Sequence, residues 1–416
     1  MTEAEQQAEE HRLRRTSRHL ILSLGAVIGF AVAFAAIYWW AGSNQSPPPE
    51  PTPTAVSPSA STPPVPTSPE TLLLQATTPE GAVGNIVTAL TSDDTDTDAV
   101  ATLLPLRNDL IVSSPQSPPA PLQLTETGLD TLRPAAATAA TLGVRIDAYW
   151  RMDRKALAGL VDSVGGFPVT ISERLRIRDE AGLVALRLRP GKQRLTGTDA
   201  SWYALGDVRG QTAVQAGDRF TAVVTKTLIR LPASDIEIRE ALTALGALAP
   251  SSIGTQDLAT YLLDVSVALR AERSQSVTLP VTELAFGDTS VAWLDYSGAT
   301  PLLRRSVPYA LWQQGVDGPA RVLVSAPADG SDVLAMVRTD LTDQNLVFVD
   351  GRGTPAPSRA RTTILGRGDA LATRMVAVAL ADPDAQSEVV PAEPLRGQPW
   401  ADVDVVLGTD YVANEP

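Results

Sequence analysis

No cysteine occurs anywhere in the 416 residues, and the only two histidines, His11 and His19, stand ahead of the first long apolar stretch. Everything after that stretch therefore lacks both thiol and imidazole. Disulfide scaffolding, thiol redox chemistry, zinc sites built on Cys or His, and nucleophiles that need a histidine base are excluded from the body of the chain. Positive charge is also scarce, since 34 Lys and Arg face 47 Asp and Glu, a net charge of −13. A body of that sign has no general basic field for nucleic acid or anionic lipid, so any anionic ligand needs a local cluster. What remains for chemistry is Asp, Glu, Arg, Lys, Ser and Tyr, in a chain long enough for one large core or two ordinary ones.

Residues 20–42, LILSLGAVIGFAVAFAAIYWWAG, carry no charge. As a helix they extend about 35 Å, enough for a hydrocarbon core of about 30 Å. Arg12, Arg14, Arg15 and Arg18 precede them, and Tyr38, Trp39 and Trp40 close the far end as an interfacial belt would. A cleaved signal peptide is the competing reading, but its apolar region is shorter and ends in small residues. The pattern predicts a single-pass anchor in the cell membrane, with residues 1–19 cytoplasmic and the main body extracytoplasmic. Glu3, Glu5, Glu9 and Glu10 balance the four arginines, so the net negative charge belongs to the outer body. Residues 43–70 contain ten prolines and read as a semi-rigid polyproline spacer.

Beyond the spacer, GNIVTAL and AVATLLPL flank TSDDTDTD, which predicts a hairpin with an acidic loop. Asp94, Asp96 and Asp98 have the opening spacing of a calcium loop without its Gly and closing Glu, so a solvated turn is expected. TGLDTLRPAAATAATLG is helical in composition, and VRIDAYWRM alternates as a strand. DRKALAGLVDSVGG places Leu157, Leu160, Val161 and Val164 on one helical face, with Asp153 as N-cap and Gly165-Gly166 as the stop. FPVTIS resumes a strand. From residue 319, strand and helix patterns alternate again through ARVLVSA, SDVLAMVRTDL, LVFVD, GDALATRMVAVALA and DVDVVLG. Gly351-Arg352-Gly353 and Gly366-Arg367-Gly368 lack phosphate-loop spacing and are expected to be flexible loops. The fold class expected is α/β, a helix-covered central sheet followed by a small C-terminal α/β domain.

Ile146, Asp147 and Tyr149, then Leu160, Val161, Asp162, Gly165 and Gly166, then Gly191, Gln193, Leu195, Gly197, Ala200 and Tyr203 form an ordered series of motifs. In these the chain resembles the LytR-CpsA-Psr (LCP) family of extracytoplasmic cell-envelope proteins over most of residues 78–285. The tail, with VLVSA, TTILGRGDALATRMVAVALA and ADVDVVLGTDY, looks like a LytR C-terminal domain. The division implied is a stub (1–19), a span (20–42), a linker (43–70), an LCP-like domain (78–285), a connecting segment (286–318) and a LytR C-terminal-like domain (319–412). The resemblance implies a pocket for a polyprenyl-pyrophosphate-linked glycan, which active members transfer to peptidoglycan. There, carboxylates with Mg²⁺ handle the pyrophosphate and arginines clamp it.

The departures fall on the working residues. Where the family opens its first hairpin strand with Asp-Thr, this chain has Asn85-Ile86. Where the family reads Arg-Asp-Thr after the next strand, this chain reads Arg107-Asn108-Asp109, and a neutral amide is a poorer ligand for a hard cation. After Tyr203 only Arg209 and Arg219 stand near the family's arginines, both out of register. The candidate pyrophosphate clamp is thus Arg107, Arg209 and Arg219, with Asp109 and Asp207 as candidate metal ligands; the alternatives are surface ion pairs and hairpin or cap roles. No cofactor is fixed by the sequence, and Mg²⁺ is expected only if the protein is active. The expectation is an envelope-assembly protein that binds a lipid-linked glycan or a wall partner, with weak or no transferase activity. An active glycopolymer-to-peptidoglycan transferase and a non-enzymatic scaffold, docking a protein through the C-terminal domain, are the alternatives.

Overall fold

Residues 69–411 are described by the structure, a computed structural model, except for 80, 92–98, 115–116, 125–132, 180, 287–288, 313–316, 327–330, 354–358, 368–369, 381–384, 391–400 and 410. The expected stub and span, most of the linker, and the Asp94-Asp96-Asp98 turn lie outside these residues. Among the described residues no helix is long and apolar enough to cross a membrane.

Strand Thr71–Thr78 carries the sequence TLLLQATT and is buried for its first six residues, which requires a covering layer on each face. It pairs antiparallel with Gly81–Thr91 and parallel with Ala148–Asp153. Val100–Leu106 and Ser274–Ser276 complete a five-stranded sheet on the side of Gly81–Thr91. The expected GNIVTAL/AVATLLPL hairpin is the antiparallel pair within it.

The period of two then sorts the side chains. Leu72, Leu74, Ala76, Trp150 and Met152 face one core, and Leu73, Val87, Leu104 and Tyr149 face the other. On the second face lies α1 (Arg133–Leu142), whose Pro134 sits in the first turn, where its missing N–H costs nothing. The first face is covered by α2 (Arg154–Ser163), α3 (Gly197–Leu205), α4 (Ala213–Ile229), α5 (Asp235–Leu245) and α6 (Thr255–Arg270). Helix α2 has the expected cap, since Asp153 accepts from the Ala156 N–H at 2.7 Å. It ends at Gly165 and Gly166, both with positive φ.

The segment expected only to connect, 286–318, contributes to the core. Its strand Thr289–Leu294 pairs with Val281–Phe286, and α7 (Tyr296–Ser306) buries Tyr296, Ala299 and Leu303 under the second sheet face. A second five-stranded sheet follows, in the order 347–350, 321–325, 403–406, 363–367, 386–390, with α8 (Ser331–Asp343) and α9 (Ala370–Leu380). Leu323, Val347 and Val349 of this sheet join the same buried cluster as α1 and α7. Gly351-Arg352-Gly353 is a turn with both glycines buried, and the second stretch is part of a strand as far as Arg367, Gly368 lying outside the described residues. Gly366 and Arg367 end a strand, with Arg367 buried. A Cβ on Gly353 would stand 2.3 Å from the Leu294 carbonyl oxygen, so that glycine permits a close backbone crossing. Arg352 holds the 2%-exposed side chain of Asp350 at 2.7 Å and covers the Trp293 ring at 4.2 Å.

Two tests follow from this packing. A Cβ at Gly197 would meet the Ala158 carbonyl oxygen at 2.0 Å, whereas one at Gly217, within α4, meets nothing within 4 Å. Gly197→Ala is expected to lose ~2–4 kcal/mol in chemical denaturation and Gly217→Ala to gain ~0.5–1 kcal/mol. Arg352→Ala leaves a buried carboxylate without its guanidinium and is expected to cost ~3–5 kcal/mol in the same assay.

Candidate functional site

A cavity of about 580 Å³ opens where the edge of the helical layer meets the end of the central hairpin. Three guanidinium groups line it, from Arg154, Arg178 and Arg219, together with the carboxylates of Asp109, Asp179 and Asp207. Arg154 begins α2, and its Cζ stands 3.7 Å from the centroid of the Trp202 ring. Arg178 ends the strand Leu175–Arg178 and donates to the Gly182 carbonyl oxygen at 2.6 Å.

Arg219 is the unusual member. It is 7% exposed and donates to the Gly206 carbonyl oxygen at 2.9 Å and to the Gln211 side-chain oxygen, while its Nε is buried with no hydrogen-bond partner among the described residues. It has no salt bridge to a carboxylate among them. Burial pushes its pKa below the ordinary value, opposed by Tyr203, whose ring is 6.0 Å away, and by Asp207. A buried guanidinium that faces a cavity and has no carboxylate in salt-bridge contact is a ready anion receptor. The first turn of α4 adds to this, because Gln211, Thr212, Ala213 and Ala216 all line the cavity. That turn is closed by a capping box between Thr212 and Gln215, and its dipole end is positive.

The other candidates separate. Arg107 grips Asp109 with two parallel bonds, Nε to Oδ1 at 2.8 Å and Nη2 to Oδ2 at 2.6 Å, and reaches Glu283 at 3.0 Å. These bonds to Asp109, with smaller help from Glu283, hold its pKa above the ordinary arginine value against the effect of burial. Asp109 faces the large cavity, but Arg107 lines a neighbouring apolar pocket of about 330 Å³ together with Pro105, Leu106, Leu110 and Val214. Arg209 is exposed in a turn and lines neither space, so the three candidate arginines do not converge. Asp207 is an exposed cavity-wall residue. Asn108 lines the cavity with its side-chain oxygen buried and unpartnered among the described residues. Asn85 lies elsewhere: 2% exposed, it accepts from Gln75 at 2.6 Å, and Gln75 accepts from the Tyr149 hydroxyl at 2.5 Å.

The motif residues are structural in position. Asp147 accepts from the N–H groups of Glu70 and Thr71 at 2.9 and 3.0 Å and from Arg145 Nε at 2.7 Å, fastening the first strand to the sheet. Asp162 accepts from the Gly197 N–H at 2.7 Å and so ties the start of α3 to α2, while Ala200 is buried in the core beside it. Gly166 lets the chain pass 2.4 Å, measured from a built Cβ, from the Leu195 carbonyl oxygen. Arg154, Arg178 and Trp202 were not singled out in the sequence, where each reads as an ordinary surface cation or core aromatic.

The donor set does not suit Mg²⁺. Both oxygens of Asp109 are engaged by Arg107, and no cluster of three or more carboxylates or imidazoles occurs among the described residues.

The model of the LytR_cpsA_psr family matches residues 135–219, which run from α1 into α4 and end on Arg219. Among solved structures, TagV of B. subtilis is similar at 14% identity over 59% of this chain and 99% of its own, with a TM-score of 0.50. Protein gbs0355 from Streptococcus agalactiae, at 18% identity, covers 60% of this chain and 90% of its own with a TM-score of 0.49. A LytR-Csp2A-Psr enzyme from Actinomyces oris, at 19% identity, covers 58% and 90% with a TM-score of 0.44. No curated protein matches the sequence. The family match thus covers residues 135–219, and the likeness to TagV is one of fold.

If Asp147 is a fastening residue, Asp147→Ala should cost ~2–4 kcal/mol in denaturant unfolding, because it orphans two backbone N–H groups and a guanidinium. Binding at the cavity by the folded fraction should stay unchanged.

Proposed function

We propose that this is a membrane-anchored, extracytoplasmic protein of envelope assembly that binds a polyprenyl-pyrophosphate-linked glycan and has little or no transferase activity. The observation that carries the reading is Arg219, a buried guanidinium without a carboxylate partner among the described residues, set beside the positive end of α4 in a cavity also lined by Arg154 and Arg178. Two linked phosphates are the anion that suits several convergent guanidinium groups. The apolar pocket on the other side of Ala213, which lines both spaces, offers a wall for the first isoprene units. The anchor rests on the uncharged run 20–42, and the LytR C-terminal identity of 319–412 rests on its sequence pattern.

Low activity follows from the charge on the cavity wall. Asp109 is neutralised by Arg107, Asn108 supplies no charge, and Asp207 is exposed, so the carboxylate–metal arrangement that would polarise a departing pyrophosphate lacks its ligands.

Binding of a polyprenyl pyrophosphate to the full chain in neutral detergent tests the reading. Arg219→Gln should weaken it by about tenfold or more, Arg209→Gln should leave it unchanged, and EDTA should not affect it. Glycan transfer should stay at background with or without Mg²⁺. Turnover stimulated by Mg²⁺ would establish a transferase instead, and absence of any lipid binding would leave a scaffold.

A further inference from the structure

Within the acidic body, one hairpin-forming stretch has the opposite sign. Residues 173–194 contain Arg174, Arg176, Arg178, Arg187, Arg189, Lys192 and Arg194 against Glu173, Asp179 and Glu180, seven cations to three acids. Apart from Arg178 in the cavity wall, all of these cations are exposed.

Their placement follows from strand register. Leu175–Arg178 pairs antiparallel with Val184–Leu188, and in that ladder Leu175 faces Leu188 while Arg176 faces Arg187. Both leucines are buried in the main core, so the period of two turns both arginines to the opposite face. Arg174 and Arg189, two residues outward on each strand, continue that face. The result is one paired rung, Arg176 opposite Arg187 on strands about 4.8 Å apart, with Arg174 and Arg189 just beyond the end of the ladder. Like charges directly opposite each other destabilise a hairpin. Among the described residues none of these four arginines has a salt bridge to a carboxylate.

The ladder is joined to the cavity. Arg178, Asp179 and Gly182 at the tip of the hairpin line it, as does Asp207 on the short strand paired with Arg178. An anionic chain whose end lies in the cavity therefore meets Arg178 first and then the Arg176–Arg187 pair.

We propose that this hairpin is a binding track for a linear polyanion, namely the charged repeats of a glycan bearing phosphodiester or uronate groups. The track selects a charged polymer over a neutral one, and it rests on the pyrophosphate reading only for which end of the chain enters the cavity. Leu183 and Val184 at the tip are exposed as a lipid contact would be, but Asp179 beside them opposes an anionic membrane.

The full chain in neutral detergent is titrated with inorganic polyphosphate, polygalacturonate and dextran. Saturable binding of polyphosphate is expected, with none of dextran; binding of polygalacturonate as well shows that charge alone suffices, and its failure restricts the track to phosphate. The double variant Arg176→Gln/Arg187→Gln should weaken polyphosphate binding by about tenfold or more and flatten its salt dependence, while leaving polyprenyl pyrophosphate binding intact. Both side chains are exposed, and unchanged thermal melting checks the fold. Equal polyphosphate binding by wild type and double variant, or binding of dextran, overturns the proposal. So does failure of polyphosphate to bind while a Leu183→Trp variant shifts its fluorescence on vesicles of phosphatidylglycerol and phosphatidylcholine, which marks a membrane foot. Loss of polyprenyl pyrophosphate binding in the wild type, with polyphosphate binding retained, overturns the pyrophosphate reading and leaves the track.

Discussion

Burial of the central sheet on both faces is the constraint from which the rest of the structure follows. A strand such as TLLLQATT can exist only if each set of alternate side chains is covered, and the chain supplies two different covers. Five helices close one face, while α1, α7 and part of the C-terminal sheet close the other. The C-terminal region therefore completes the core of its neighbour. Its Arg321, fully buried, donates to the Ala140 carbonyl oxygen of α1 at 2.8 Å, and burial pushes its pKa down to about 10. The cavity lies at the rim of this arrangement, where α2, α3 and α4 begin or end and the backbone is no longer consumed by the sheet.

Within that frame, charge pairing decides what the cavity can do. Asp109 and Arg107 satisfy each other, so the carboxylate nearest a metal role is already occupied. Arg219 has only neutral oxygen acceptors and keeps its capacity for an anion. Under the proposed reading, binding of a pyrophosphate is separated from its activation, since the first needs counter-charge and the second needs that charge to increase as the leaving group departs.

The strands of the 81–106 hairpin, the strand 148–153, α2 and the alternation after residue 319 were legible from their periods and α1 from its composition, whereas Thr71–Thr78, apolar on both faces, was not. Asp153 as a cap and Gly165-Gly166 as a stop had the expected roles. The 175–195 hairpins were not legible, because their outward face is arginine and the apolar half of the alternation, Leu175, Ile177, Leu186 and Leu188, is short and interrupted. The cavity was less legible than the fold. Its arginines come from three separate elements, and only their meeting gives them a role. One signal was available: Arg219 sits with Phe220, Val223, Val224, Thr227 and Leu228 on the buried face of α4, so helical phase alone places it inward. Arg209, in a turn, has no such phase. The family motifs were easy to find for a different reason, since close backbone packing at Gly197 and Gly166 and the bonds of Asp147 and Asp162 tolerate few substitutes.

The clip made by Asp147 also has a mechanical side. It closes on Glu70 and Thr71, the point where the proline-rich stretch ends, and the strand it secures is flanked by neighbours on both sides, one parallel and one antiparallel. A pull delivered through residue 69 runs along that strand, so it loads both hydrogen-bond ladders in shear and opens neither of them bond by bond. A load carried through the proline-rich stretch thus meets the strongest direction of the sheet. Asp147 is the latch that keeps the load from fraying its first residue.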